Sequence, residues 1–115
     1  MAKKIRIVFA GTPDFAAPFL NSLINESDFE VVAVITRPDK PVGRKQILTP
    51  SPVKQLAKKN KISILQPESL KNNQKIITDL MVLAPDLFIV VAYGQIIPPE
   101  ILNIAKFGNI NVHPS

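Results

Sequence analysis

Three short runs of almost continuous apolar residues constrain the fold of this 115-residue chain more than any other feature of its sequence. They are Ile5 to Ala10, Glu30 to Thr36 and Leu87 to Ala92, and each is rich in Ile and Val. Runs of this length and composition are typical of strands buried on both faces, which belong to parallel sheets covered by helices. The pattern therefore predicts an α/β fold.

The segments between these runs predict helices, two further strands and one long loop. Apolar side chains from Phe15 to Ile24 recur at helical spacing, with Thr12 or Asp14 as the helix cap, and residues 37–50 are predicted to form a loop. Further helices are predicted from Ser51, from Ile76 to Ala84 and from Pro98, and further strands over Ile62 to Leu65 and Asn109 to His113. This alternation predicts a Rossmann-like, doubly wound, mostly parallel sheet.

The composition excludes several classes of site. The chain has no Cys and one His, which rules out disulfides, thiolate metal sites, a cysteine nucleophile and multi-histidine metal sites. We therefore expect no metal. No apolar run approaches the roughly 20 residues of a membrane helix, so we expect no membrane association and a soluble, cytoplasmic protein.

The positive charge of the chain is concentrated in one segment. The net charge is +5, but residues 37–61 hold eight basic side chains and one acidic side chain, a net +7, and the remainder is −2. Such a run is either a solvated surface or a nucleic-acid contact, and its concentration in one segment favours contact with phosphates. We expect no base stacking there, because no aromatic residue lies among these cations.

Ligands of parallel α/β sheets bind beyond the carboxyl ends of the strands. Of two such ends, one is interpreted as a structural turn and the other leaves two interpretations open. The turn from Ala10 to Asp14 has one glycine and neither glycine-rich phosphate fingerprint, which favours a purely structural turn and argues against a dinucleotide. The apolar turn from Ala92 to Pro98 suits the flat face of a ring system, or equally a turn covered by other parts of the protein.

The third strand end carries the side chains with the clearest chemical potential. In a strand from Asn109 to His113, Asn111 and His113 project to the same face, about 7 Å apart along the strand. An amide donor beside an imidazole suits acyl-type transfer, since both groups can stabilise an oxyanion and the imidazole can relay a proton. A lone His at a strand end is more often only packed or solvated, so this pair remains a hypothesis.

Five motifs follow one another over the whole length of the chain. They are Phe9 to Ala16, Arg37-Pro38-Asp39 leading to Gly43-Arg44, Pro50 to Lys54, Val90 to Gly94, and Gly108 to Ser115. In order and spacing they resemble the methionyl-tRNA formyltransferase family. The last motif alone is shared with the wider formyltransferase superfamily, which includes glycinamide ribonucleotide transformylase.

The resemblance implies transfer of a formyl group from 10-formyltetrahydrofolate to the amino group of methionyl-initiator tRNA, for translation initiation, by a protein that is monomeric at full length. Asn111 and His113 match the catalytic Asn and His of the superfamily. The resemblance assigns Gln95, Ile96, Ile97 and Ser115 to the folate site, and Arg44, with the neighbouring Lys40 and Lys45, to the tRNA-binding loop.

The family's third catalytic residue, an Asp, lies beyond Ser115. From the resemblance we expect residues 1–115 to be the N-terminal part of the catalytic domain, with a truncated sheet and without the C-terminal tRNA-binding domain, and to be inactive alone. Two alternatives stay open: a superfamily formyltransferase acting on a small amine, and a non-catalytic RNA-binding α/β module.

Overall fold

The central element is a sheet of five parallel strands, in a computed structural model that describes residues 3–112. In chain order the elements are β1 (Ile5–Gly11), α1 (Ala16–Ile24), β2 (Phe29–Ile35), β3 (Lys40–Val42), β4 (Ile47–Thr49), α2 (Pro52–Lys59), β5 (Ser63–Leu65), α3 (Gln74–Leu83), β6 (Leu87–Val91), α4 (Pro99–Leu102) and β7 (Asn109–Val112). The strand order is β5-β2-β1-β6-β7, so the chain winds first to one side of β1 and then to the other. The predicted Rossmann-like, doubly wound parallel sheet is confirmed.

Helices cover both faces of this sheet, which explains the unbroken apolar runs. Successive strand residues point to opposite faces, and both faces are buried. Phe9 of β1 is buried on one face and Phe88 of β6 on the other. The helical side chains packed on the two faces are Ala16 and Leu20 of α1 with Val53 and Ala57 of α2, and Ile76 and Leu80 of α3 with Ile101 of α4.

The prediction of a loop over residues 37–50 is wrong in its centre. Strands β3 and β4 form an antiparallel hairpin there, with Lys40 opposite Thr49 and Val42 opposite Ile47. Each strand has three residues and is largely exposed, so neither produces an alternating apolar pattern that sequence could reveal. We call residues 40–49 the basic hairpin.

The predicted cap of α1 is also wrong. Phe15 occupies the N-cap position and no side chain caps the helix. Backbone carbonyls of the preceding turn satisfy the first amides instead, since the Ala16 amide donates to Pro13 O at 3.0 Å and the Ala17 amide to Asp14 O at 3.2 Å. The Thr12 hydroxyl is thereby free for a different contact.

Within residues 3–112 no helix combines the length and the apolar character needed to cross a membrane. The longest of the described helices is α3, with ten residues, which is about 15 Å against a hydrocarbon core of about 30 Å.

Candidate active site

A pocket of about 260 Å³ lies between the β6–α4 turn and the edge strand β7. The structure brings four of the candidate residues from the sequence to this one place: Gln95, Ile96 and Ile97 from the turn and Asn111 from β7. The remaining lining side chains are Val90, Leu102 and Asn109. The walls are therefore aliphatic and amide groups without a formal charge, which suits a flat, largely neutral ring system with polar edges.

Strand register determines which face of β7 points into this pocket. Asn111 pairs with Val90 and Asn109 with Phe88, and both partners belong to the same sheet face. Val112 packs with the opposite face. The predicted alternation therefore holds for Asn111, whose side chain is exposed to solvent at the pocket. His113 and Ser115 lie outside the described residues.

Two hydrogen bonds anchor the first part of the β6–α4 turn. Its second residue, Tyr93, is 3% exposed, and the Tyr93 carbonyl accepts the Thr12 hydroxyl at 3.2 Å. The side-chain amide of Gln95 donates from Nε2 to the Glu68 carbonyl oxygen at 2.9 Å. Between these anchors Gly94 adopts φ +99°, a conformation that L side chains rarely reach. Glycine is thus required where the chain turns from β6 into the pocket wall.

The two isoleucines of this turn serve different purposes. Ile97 is 8% exposed and belongs to the core, whereas Ile96 is 92% exposed beside the pocket. The alternative in which the turn is covered by the rest of the protein does not hold for Ile96 within residues 3–112. An aliphatic side chain presented to solvent at a pocket rim is available to pack on a bound ring.

The phenol of Tyr93 is buried without a hydrogen-bond partner among the described residues. Burial raises the pKa of the Tyr93 phenol above its ordinary value of 10.0, because the charged phenolate would be the more poorly solvated form. The side chain packs in the core with Leu80 and Phe88, so burial of its hydroxyl group without a hydrogen bond lowers the free energy of unfolding.

The basic hairpin presents its cations to solvent. Lys40 lies in β3, while Arg44 and Lys45 lie in the turn between the strands, and all three side chains are exposed. The turn is closed by Gly43 at φ +76°, whose carbonyl accepts the Gln46 side-chain amide at 2.9 Å. The three cations placed in the tRNA-binding loop by the resemblance are therefore carried on one short ordered arm.

An ion pair anchors the base of this arm to α2. The Lys54 ammonium donates to both carboxylate oxygens of Asp39, at 3.0 and 3.1 Å, and the Gln66 amide donates to the same carboxylate at 2.9 Å. The pKa of Asp39 lies below its ordinary value of 3.8, first because of the Gln66 hydrogen bond and then because of Lys54. Since Lys54 and Asp39 offset each other, the net +7 of residues 37–61 resides on the seven other basic side chains.

A second cavity, of about 270 Å³, lies between the basic hairpin and the turn after β1. Thr12 and Asp14 line one side, and Arg37 and Lys40 line the other. The sequence interpretation of this turn as purely structural missed the cavity. Its position at the carboxyl end of the central strand was the signal available, but nothing local in the sequence shows that the hairpin packs beside it.

Among residues 3–112 no group of three or more His, Cys, Asp or Glu side chains is close enough to hold a metal ion.

Comparison with known proteins identifies both the family and the fold. The model of the formyl transferase family matches residues 3–115. The methionyl-tRNA formyltransferase of Caldicellulosiruptor saccharolyticus is 55% identical over 109 residues, which are 95% of this chain and 35% of that protein. That of Pseudomonas fluorescens (strain Pf0-1) is 53% identical over 115 residues, which are 100% of this chain and 35% of that protein. The chain thus spans about a third of the length of these curated relatives.

Solved structures match at the level of the fold. Glycinamide ribonucleotide transformylase 1 from Symbiobacterium toebii superposes with a TM-score of 0.70 at 14% identity, over 99% of this chain and 53% of that one. Phosphoribosylglycinamide formyltransferase from Bacillus halodurans superposes with a TM-score of 0.66 at 14% identity, over 95% and 56%. At this identity the likeness concerns the sheet and its helices alone.

Proposed function

The chain belongs to the formyl transferase family, and on that premise we propose that it is the N-terminal part of the catalytic domain of a methionyl-tRNA formyltransferase. The proposed reaction moves the formyl group of 10-formyltetrahydrofolate to the amino group of methionyl-initiator tRNA, in the cytoplasm. The close identity to methionyl-tRNA formyltransferases along nearly the whole chain is the observation that carries this proposal.

In the proposed reaction the pocket at the β6–α4 turn holds the folate, with the exposed Ile96 packed on the pterin ring and the core residue Ile97 contributing to the pocket wall. The methionyl amine attacks the formyl carbon, the bond from that carbon to the folate nitrogen breaks, and the proton lost by the amine ends on that nitrogen. Asn111 donates its amide N–H to the oxyanion that forms on the formyl oxygen. We assign the proton relay to His113.

The basic hairpin supplies the contact with the acceptor. Lys40, Arg44 and Lys45 are exposed and adjacent, and such cations gain affinity by releasing the counterions of nucleic-acid phosphates. A small amine such as glycinamide ribonucleotide offers these cations a single phosphate, whereas a tRNA offers a whole phosphate backbone. The location of the charge therefore favours a tRNA acceptor over a small amine.

The test is formylation by the full-length protein, with methionyl-tRNA and glycinamide ribonucleotide offered separately as acceptors. We expect transfer to methionyl-tRNA, with kcat about 10²- to 10³-fold lower in Asn111→Ala, the typical cost of losing one oxyanion donor. Asn103→Ala is the matched control, because Asn103 lines a different cavity, near the amino ends of β6 and β7, and its replacement should leave kcat unchanged.

The outcomes separate the alternatives. Transfer to glycinamide ribonucleotide alone would identify a small-amine formyltransferase. RNA binding without any folate-dependent transfer would identify a non-catalytic module. A normal kcat in Asn111→Ala would remove this residue from the reaction even if methionyl-tRNA is the acceptor.

A further inference from the structure

A chain of hydroxyl groups runs through the interior at the carboxyl edge of the sheet. Thr12 and Thr36, which are 2% and 0% exposed, are both buried and both belong to it. The Thr36 hydroxyl lies 2.9 Å from the Ser51 hydroxyl and 3.5 Å from the Thr12 hydroxyl. The Thr12 hydroxyl in turn lies 3.2 Å from the Tyr93 carbonyl.

Each hydroxyl has one proton to donate, and this fixes the direction of the chain. Thr12 donates to Tyr93 O, so Thr36 must donate to Thr12. Ser51 must then donate to Thr36, and the Ser51 oxygen accepts the Lys54 amide at 3.0 Å as the N-cap of α2. Every hydroxyl in the chain therefore both donates and accepts, which is how a buried polar network avoids an unpaired group.

The chain joins the two parts of the candidate site. The basic hairpin lies within residues 37–50, with Thr36 immediately before this segment and Ser51 immediately after it. The contact between Thr36 and Ser51 therefore closes the base of the basic hairpin. The Asp39–Lys54 pair forms a second contact at this base, between Asp39 and α2. At its other end the chain reaches Tyr93, at the start of the turn that lines the 260 Å³ pocket.

We propose that this hydroxyl chain holds the basic hairpin in register with the β6–α4 turn, and that Thr36 is a positioning residue for formyl transfer. The inference rests on the proposed function, in which the turn holds the formyl donor and the hairpin holds the acceptor. The reacting atoms of two substrates must come within about 3–3.5 Å, and a misplacement of about 1 Å can cost about 100-fold in rate. A tie between the two supporting segments therefore acts on kcat.

The test compares Thr36→Val, which removes the hydroxyl and keeps the shape, with Thr36→Ser, which keeps the hydroxyl, in the full-length protein. With both substrates saturating, we expect kcat to fall about tenfold in Thr36→Val and to stay within about twofold of wild type in Thr36→Ser. Ile76→Val is the control, since it removes one buried methyl group from the core cluster that also contains Tyr93 and leaves every hydroxyl of the chain in place. Its kcat per folded molecule should match wild type.

If Thr36→Val does not fold, Ser51→Ala cuts the same link from a partly exposed position. Equal losses in the Val and Ser variants, an equal loss in Ile76→Val, or a normal kcat in Thr36→Val would each overturn the positioning role. Where Thr36→Val does not fold, a normal kcat in Ser51→Ala would overturn it.

Hydrogen exchange separates this inference from the proposed function. Loss of the link should raise exchange about tenfold at the amides of residues 51–54 and 93–97 together in Thr36→Val, and in neither segment in Ile76→Val. If the wild-type protein formylates no tRNA, the proposed function fails, and exchange still decides whether the two segments are coupled. Exchange that is unchanged in Thr36→Val, or raised in only one segment, would refute the tie itself.

Discussion

Removing two cations from the basic hairpin tests its proposed contact with tRNA most directly. Lys40 in β3 and Arg44 in the hairpin turn are both exposed, so Lys40→Gln with Arg44→Gln removes two positive charges without opening the core. If each cation neutralises one phosphate of the bound tRNA, each also releases a condensed counterion, and the affinity acquires a defined dependence on salt.

The magnitude follows from the number of contacts. Log affinity falls with log salt, and each phosphate contact contributes about 0.7 (single strand) to 0.9 (duplex) to the magnitude of this slope. Two lost contacts therefore make the slope shallower by about 1.4–1.8. Salt rises fourfold between 50 and 200 mM, which is about 0.6 log units. Over that range the affinity gap between wild type and variant should therefore shrink by roughly tenfold.

The assay is equilibrium tRNA binding by the full-length proteins at a series of salt concentrations. The control is Lys4→Gln with Lys106→Gln, which removes the same net charge from exposed positions at the amino ends of β1 and β7. Its slope should stay close to wild type. Equal slope changes in the two double variants would mean that only overall charge matters, and an unchanged slope in the hairpin variant would refute the contact.

Three further predictions concern stability, each read by equilibrium unfolding. Gly11→Ala should lower the free energy of unfolding by about 1–3 kcal/mol, since a Cβ there would lie 2.8 Å from the Val91 carbonyl oxygen, between the two central strands; unchanged stability would contradict this close approach. Tyr93→Phe should raise that free energy by about 1 kcal/mol. In the wild type, the pKa of Tyr93 is higher in the folded than in the unfolded chain, so the unfolded chain loses the phenol proton first and stability falls as pH rises past about 10. Tyr93→Phe should abolish this loss, and an identical alkaline profile would argue against that cause. Asp39→Asn should flatten the acid limb, since the lowered pKa of Asp39 gives stability that is present above pH 3.8 and lost as pH falls through the folded-state pKa; an acid limb as steep as wild type would refute it.

The sheet could be predicted because burial on both faces is recorded locally in the sequence. Strands β1, β2 and β6 are each paired on both sides and covered by helices, so every position favours an aliphatic side chain. The basic hairpin could not be predicted in the same way. Its strands have three exposed residues each, and Val42, Ile47 and Leu48 are 55–65% exposed, so no inward and outward faces alternate.

The candidate site was predictable only in part, for a related reason. The orientation of Asn111 follows from period-two alternation within one strand. Its meeting with the turn at Gln95 depends on which strand lies beside β7, and the residues alone left that turn open between a ring-binding and a covered state. Thr12 is the clearest failure, because its hydroxyl was expected to cap the adjacent helix and instead contacts groups 24 and 81 positions away.

In the proposed reaction, the separation of charge from the pocket divides acceptor binding from formyl transfer. The pocket beside β7 is lined by aliphatic and amide groups, and the seven cations that carry the net charge lie on the segment that begins at Arg37. In the proposed reaction, affinity for a polyanionic acceptor depends on these cations and is screened by salt, whereas the rate of transfer depends on the groups at the pocket. Such a division works only if the hairpin and the pocket keep a fixed geometry, and the hydroxyl chain through Thr36 lies at the point where that geometry is determined.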